Sequence, residues 1–300
     1  MDIGMIGLGR MGANMAHRLA RGGHRVVGFD VNADARERLR DIGAQPAASL
    51  VELVSLLAVP RVLWLMLPAA TIDATLDELR PLLTAGDRVV DGGNSNYKDS
   101  MRRASDSART GIDYIDCGTS GGIWGLSEGY SLMIGGEMAA VESLRPLFET
   151  LAPAADRGWG RVGPAGAGHF SKMVHNGIEY GLMQAYAEGF AIMQRKAGLE
   201  LDLAQVAEIW RHGSVVRSWL LDLIADALGK NPQLDGIAAF VEDSGEGRWT
   251  VAEAIDLNIA APVITQALLQ RLASREPDSF SDKLLAALRN EFGGHAVRKG

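Results

Sequence analysis

The chain has 300 residues, 47% hydrophobic and 22% charged, an ordinary globular composition with room for one large or two ordinary domains. Its formal net charge of −7 argues against a nucleic-acid partner, which usually meets a basic stripe, but leaves room for an anionic small molecule held by local arginines. The single Cys117 excludes an internal disulfide framework and a cysteine-only metal site, and no metal is expected. Met1-Asp2 leads straight into an apolar run without a basic leader, so no signal peptide is expected. Glu52, Pro60 and Arg61 interrupt the most apolar span, residues 50–70, too often for a membrane helix. A cytoplasmic setting fits these features.

Residues 2–6 form a short apolar run that ends at Gly7-Leu8-Gly9-Arg10-Met11-Gly12. A helical pattern follows over residues 14–21, then a second strand over 25–29 that ends at Asp30, 23 residues after Gly7. Strand, G-x-G-x-x-G, helix, strand and terminal acid together are the fingerprint of a dinucleotide site. Gly7 permits the tight turn, Gly9 lets the backbone approach a pyrophosphate, and Gly12 lets the helix pack on the strand. Asp30 selects the cofactor: a carboxylate accepts hydrogen bonds from both adenosine ribose hydroxyls and repels a 2′-phosphate. Val31 and Asn32 follow it, so no arginine stands where a phosphate would need one. NAD is expected in preference to NADP.

The alternation continues. Helices are expected over 33–42, 50–57 (capped by Ser49), 71–83, 95–110 and 138–151. Strands are expected over 61–67, closed by Pro68, and over 88–91, 114–117 and 131–134. This pattern predicts an α/β, doubly wound, mainly parallel sheet of Rossmann type, with ligands beyond the C-terminal ends of its strands. The loops at those ends are 7–12, 67–69 (Leu67, Pro68, Ala69), 91–95 (with Asn94) and 117–125. Gly118-Thr119-Ser120-Gly121-Gly122 offers a hydroxyl and bare backbone N–H groups, a natural nest for a carboxylate.

After Pro164 no strand pattern returns, and an all-α C-terminal domain follows. Its expected helices are 163–196, 203–210, 218–228, 251–257, 262–272 and 281–290. The first is the spine, opened by Pro164 in its first turn and closed near Gly198, roughly 50 Å long at about 1.5 Å per residue. Lys172, His175, Asn176, Glu179 and Tyr180 fall at i, i+3, i+4, i+7 and i+8, one helical face, among apolar Phe170, Met173, Val174, Ile178, Leu182 and Met183. The ordinary alternative is the solvated face of an amphipathic helix. Against it, the stripe carries one Lys and one Glu and tolerates Gly177, which costs about 1 kcal/mol in a helix interior. A glycine-rich loop is expected at 245–250, with Arg248 as a possible anion ligand. The tail Arg289-Asn290-Glu291-Phe292-Gly293-Gly294-His295 reads by itself as a frayed end.

Several of these segments together resemble a known family. Asp91-Gly92-Gly93-Asn94-Ser95, Thr119-Ser120-Gly121-Gly122, Lys172-Met173-Val174-His175-Asn176-Gly177-Ile178-Glu179-Tyr180, Gly247-Arg248-Trp249-Thr250 and Phe292-Gly293-Gly294-His295 resemble, in order, decarboxylating 6-phosphogluconate dehydrogenase of the shorter type. The resemblance implies an NAD-binding domain at 1–162 and an all-helical substrate and dimerisation domain at 163–300. It implies oxidation of 6-phospho-D-gluconate at C3, loss of CO2, and protonation of the resulting enol to give ribulose 5-phosphate. In that chemistry Lys172 would be the base at the C3 hydroxyl and Glu179 the acid at the carbon that lost CO2, C1 of the ribulose product. Asn94, Ser120, Gly121 and Gly122 would hold the carboxylate end, and His175 and Asn176 the hydroxyls beside the reacting carbon. Tyr180, Arg248, Arg271, Arg289 and His295 would hold the 6-phosphate. Arg248 departs from the lysine common in the longer enzymes, keeping the charge while changing its geometry. A homodimer or homotetramer is implied, with exchange of Arg289 and His295 between subunits as a hypothesis. The rival readings are another β-hydroxyacid dehydrogenase, of the 3-hydroxyisobutyrate type, and a catalytically silent dinucleotide-binding protein. Neither needs Glu179 together with a basic phosphate pocket.

Overall fold

The computed structural model describes residues 1–276 and 278–293; His295 lies outside the described residues, and the side chains of Asn290, Phe292 and Gly293 are likewise left aside. The chain divides into two compact units, 1–175 and 176–300.

The first unit is built on one sheet. Its strands are β1 (Asp2–Ile6), β2 (Arg25–Phe29), β3 (Gln45–Pro46), β4 (Val62–Leu65), β5 (Arg88–Asp91), β6 (Asp113–Ser120), β7 (Ser131–Gly135) and β8 (Trp159–Gly163), in the spatial order β3-β2-β1-β4-β5-β6-β7-β8. All neighbours pair parallel except β6 and β7. The connecting helices are α1 (Arg10–Arg21), α2 (Ala33–Glu37), α3 (Leu50–Ser55), α4 (Ala69–Leu79), α5 (Tyr97–Ala108), α6 (Gly125–Glu128), α7 (Met138–Ser143) and α8 (Arg145–Leu151). Side chains alternate along each strand, so each face gets its own core. Ile3, Met5, Val26, Trp64, Val90 and Ile115 enter one; Ile6, Val27, Leu63, Leu65, Val89 and Tyr114 enter the other. The doubly wound reading holds. The order reverses at β1 and β4, which puts a crevice beyond the C-terminal ends of these strands.

Several boundaries differ from the sequence reading. The glycine motif runs into α1, which starts at Arg10 rather than at residue 14. The helix expected over 138–151 is two helices, because Pro146 at the start of α8 cannot donate to the preceding turn. β6 extends to Ser120, paired with Ser131, so Gly118, Thr119 and Ser120 are strand and not loop; the turn begins at Gly121 (φ 138°). β3 and β8 were not expected. Both are edge strands: β3 contains Pro46, and Trp159-Gly160-Arg161-Val162-Gly163 has no strong strand composition.

The second unit is helical. Its spine α9 (Ala167–Arg195) begins in the first unit, and α10 (Leu203–Arg211), α11 (Trp219–Lys230), α12 (Glu246–Asp256), α13 (Pro262–Ala273) and α14 (Phe280–Gly293) follow. α9 begins at Ala167 and not at 163: Gly163 ends β8, and Pro164 to Gly166 form the turn between them. Arg248 is not in a loop either, since α12 opens at Glu246, capped by Gly245 at φ 102°. The unit's cores are small. Phe190, Ala207, Leu221, Ala225 and Leu228 form one, and Tyr180, Ala267 and Leu268 another. Gly177 is explained here: a Cβ on it would stand 2.7 Å from Thr250 Cγ2, so its absence lets α9 and α12 touch.

Candidate active site

At the C-terminal edge of the sheet, the ends of β1, β4 and β5 bring three of the expected loops together with Asp30 at the end of β2. Gly7 takes φ 93°, and a Cβ on Gly12 would lie 2.0 Å from the Gly7 carbonyl oxygen, so the turn closes only without side chains. The Leu8 N–H donates to Asp30 Oδ2 at 2.7 Å, and the Asn32 N–H donates to Asp30 Oδ1 at 2.8 Å. Asp30 is therefore fixed by the backbone on both sides of the crevice mouth, with lone pairs left on both oxygens. Leu67 packs beside Gly7, and Gly93 approaches the Leu67 carbonyl so closely that a Cβ would sit 2.7 Å from it. Pro68 caps α4, which Ala69 opens.

A dinucleotide fits this crevice. No side chain caps α1, its first turn holds no acid, and a Cβ on its cap residue Gly9 would meet nothing within 4 Å. The helix N-terminus thus presents backbone donors and open space to a pyrophosphate. Arg36 is a neighbour the sequence reading missed: its guanidinium donates to the carbonyls of Asp30, at 2.7 Å, and Val31, at 3.3 Å. It braces the strand end from the first turns of α2.

The 91–95 loop rests on a buried polar hub. Asp91 Oδ2 accepts from the Ser95 hydroxyl and the Tyr114 hydroxyl, each at 2.7 Å, and from Arg103 at 3.4 Å. Arg103, itself only 2% exposed, also donates to Ser95 at 2.9 Å and to Asp73 at 2.8 Å. Burial, with the Asp91 carboxylate beside it, pushes the Tyr114 phenol well up, so it is a neutral donor. The result presents Asn94, which is exposed, from a rigid base. Burial likewise pushes the Cys117 thiol up, so it is no nucleophile.

The start of α9 is pinned to the sheet. Asp116 on β6 is fully buried, and its two carboxylate oxygens accept from the N–H groups of Gly166, at 2.6 Å, and His169, at 2.8 Å. His169 in turn pairs through Nδ1 with Ser100 of α5 at 2.7 Å. A Cβ on Gly118 would lie 2.4 Å from Lys172 Cβ, so the helix lies directly on β6 there. Asp116 was legible as a signal, an acid in the otherwise uncharged buried core of a strand, but the sequence reading passed over it. Along α9, Lys172, His175 and Glu179 are half-buried while Asn176 and Tyr180 are buried. Ile178, Leu182 and Met183 on its flanks are exposed. The polar stripe is therefore not a solvated face.

In the second unit, Tyr180 meets a basic cluster. Its ring lies against Gly247 on one side, where a Cβ would come within 2.5 Å, and the Arg271 guanidinium stands 3.6 Å from its centroid. The Tyr180 hydroxyl is buried and finds no hydrogen-bond partner among the described residues. Arg248, on the first turn of α12, pairs with Asp243 at 2.5 Å. Arg289 lies exposed on α14, and no described contact joins it to this cluster. Among the described residues no group of three or more His, Cys, Asp or Glu side chains could hold a metal ion.

The family model for the NAD binding domain of 6-phosphogluconate dehydrogenase matches residues 2–160, and the 6-phosphogluconate dehydrogenase C-terminal domain model matches residues 168–292. The NAD(+)-dependent, decarboxylating 6-phosphogluconate dehydrogenase of Haloferax volcanii is 45% identical over 301 residues, spanning 100% of this chain and 99% of its own. Its Bacillus subtilis namesake is 37% identical over 312 residues, spanning 99% of this chain and 66% of its own. Among solved structures, Plasmodium falciparum 6-phosphogluconate dehydrogenase matches with a TM-score of 0.85 at 27% identity, covering 100% of this chain and 66% of that one. A 3-hydroxyisobutyrate dehydrogenase from Salmonella typhimurium shares the fold, with a TM-score of 0.76 at 24% identity and coverage of 92% and 95%. Both family domains in their order along one chain, with a relative this similar from end to end, place the protein in the 6-phosphogluconate dehydrogenase family.

Proposed function

We propose that the chain oxidises 6-phospho-D-gluconate with NAD and decarboxylates the product to ribulose 5-phosphate and CO2. What carries this reading is α9, one unbroken helix bearing Lys172 and Glu179 two turns apart, roughly 10 Å along its axis at about 1.5 Å per residue. That separation suits groups acting at different carbons of one sugar chain.

NAD, when bound at the α1 turn and Asp30, supplies the hydride acceptor. Lys172 takes the proton of the C3 hydroxyl as the hydride leaves C3, then holds that proton near the C3 oxygen and polarises the new ketone. The ketone accepts the electron pair of the C1–C2 bond as CO2 departs, which leaves an enol. Glu179 delivers a proton to the carbon that lost CO2. His175 and Asn176 hold the hydroxyls beside the reacting carbon, Asn94 and Ser120 to Gly122 the carboxylate end, and Tyr180, Arg248 and Arg271 the phosphate, for which a planar guanidinium fork is suited. Arg289 and His295 belong to the same end in this reading.

We assign residues 1–162 to cofactor binding and 163–300 to substrate binding and self-association, as a homodimer or homotetramer. Exposed Ile192, Ile209, Val263 and Phe280 in the second unit support association. No described helix is long and apolar enough to cross a membrane, which is compatible with a cytoplasmic enzyme. The deciding experiment follows NADH formation and CO2 release together with 6-phosphogluconate as substrate. Equal yields are expected; NADH without CO2 would return the reading to a simple β-hydroxyacid dehydrogenase.

A further inference from the structure

Two charged side chains that neighbour Arg248 and the Arg271 contact have no part in the reaction as written: Asp243 and Arg275. Asp243 is only 3% exposed, yet it lies beneath two guanidiniums that reach solvent, Arg248 at 2.5 Å and Arg275 at 3.9 Å, which are 52% and 35% exposed. It also accepts from the Gly245 N–H at 3.1 Å. Burial alone would raise its pKa; the bonds from Arg248 and Gly245 outweigh that and hold it below the usual carboxylate range, so it stays charged. The segment carrying Asp243 is tied to the end of α13 and the turn after it at three successive residues. The Val241 N–H donates to Ser274 Oγ at 3.1 Å, Arg271 donates to the Glu242 carbonyl at 2.6 Å, and Arg275 stands 5.5 Å from the centroid of Phe240. Two guanidiniums thus meet at the Asp243 carboxylate and a third, Arg271, at the carbonyl of the residue before it, while the buried Glu246 carboxylate accepts from the Ser244 hydroxyl. Tyr180 adds an independent sign of an absent partner, a buried hydroxyl with no acceptor or donor among the described residues, under the guanidinium of Arg271.

We propose that Asp243 is the positioning residue that holds Arg248 and Arg275 together, next to Arg271, in one phosphate site, and that Arg275 contacts the 6-phosphate of the substrate. The proposal rests on the reading that the phosphate end of the substrate lies at Tyr180. Asp243 acts through the guanidiniums, since a carboxylate would itself repel the phosphate. Arg275 acts directly.

The test compares Asp243→Asn, Asp243→Glu, Arg275→Gln and Arg275→Lys with the parent full-length chain. It reads KM for 6-phosphogluconate, KM for NAD, kcat, and the Kd of inorganic phosphate by calorimetry. Asp243→Asn should raise KM for 6-phosphogluconate and the phosphate Kd together by about tenfold, with kcat within about threefold and KM for NAD unmoved. Arg275→Gln should raise both by about fivefold, and Arg275→Lys should recover part of that. Changes within about twofold in both Gln and Asn variants would overturn the proposal, as would an Asp243→Asn effect falling equally on kcat and on KM for NAD. If Asp243→Asn does not fold, Arg275→Gln decides alone. If the parent does not turn over 6-phosphogluconate, the proposed reaction fails, while the phosphate Kd of parent against Arg275→Gln still decides the cluster.

Discussion

In the first unit, Asp30 and Asp116 are held by backbone N–H groups, while in the second the arginines rest mainly on other side chains. Asp30 takes two backbone N–H bonds and Asp116 takes two more, and Asp91 sits in a buried hub. Arg248, Arg271 and Arg275, by contrast, hang on Asp243, on one carbonyl and on two aromatic rings, with the guanidiniums of Arg248 and Arg275 reaching solvent. The cores differ in the same sense: a sheet filled on both faces in one unit, two small clusters in the other. The difference teaches that cofactor geometry is fixed by folding itself. In the proposed reaction, substrate grip is left to long side chains, which lose entropy when they close on a ligand.

The sharpest break in this contrast concerns α9, which serves both units. Lys172→Met should lower kcat by about 10²–10⁴-fold, and Glu179→Gln should do so by a comparable factor, with the Kd for NAD nearly unchanged in both. A loss of NAD affinity of similar size would mean that the helix, and not the side chain, had been disturbed. Next is the rigidity of the first unit. Gly168→Ala places a Cβ 2.4 Å from the Met133 carbonyl oxygen and 2.6 Å from that of Asp116. It should cost about 1–3 kcal/mol in denaturant unfolding and lower kcat by displacing Lys172. A variant of parent-like stability and rate would show that this contact yields easily. Asp30→Ser should lower kcat/KM for NAD by about tenfold while raising it for NADP, because the fixed carboxylate discriminates by its charge. An unchanged ratio would remove Asp30 from specificity.

The smallest effect lies at the rim. Hydrogen bonding from Arg103, opposed by slight burial, holds the Asp73 carboxyl down at about 2 against an ordinary 3.8. A depressed acid stabilises the fold above its unfolded pKa and loses that contribution as pH falls toward the folded value, here between about 4 and 2. Asp73 is about half exposed, so solvent screening holds the contribution below about 1 kcal/mol. Asp73→Asn should flatten the acid limb of a stability curve over that interval; an identical limb would show that another acid governs it.

Much of this was readable beforehand. The glycine motif, Asp30 and the alternation of strands and helices are local signals, and each appears in the sheet as expected. The polar stripe of α9 could be read from spacing alone, because helical periodicity ties position to direction. What stayed hidden depends on partners distant in sequence. Asp116 matters because residues 166 and 169 return to it, and Asp243 because Arg275 does. β8 escaped because an edge strand takes its order from β7 and not from its own glycine-rich composition. Arg248 was misplaced because Gly245 at φ 102° starts a helix that composition alone reads as a loop.

The Asp116 bonds to the first turn of α9 also bear on the order in which the molecule assembles. A helix pays most for its first turn, and this one begins beside Gly166 and Gly168, which raise that cost. The carboxylate that supplies two early bonds comes from β6, fifty residues upstream. The N-terminal turns of α9 should therefore become ordered only after β6 has joined the sheet. In folding kinetics, Asp116→Asn should then speed unfolding far more than it slows folding, the mark of a contact made after the transition state.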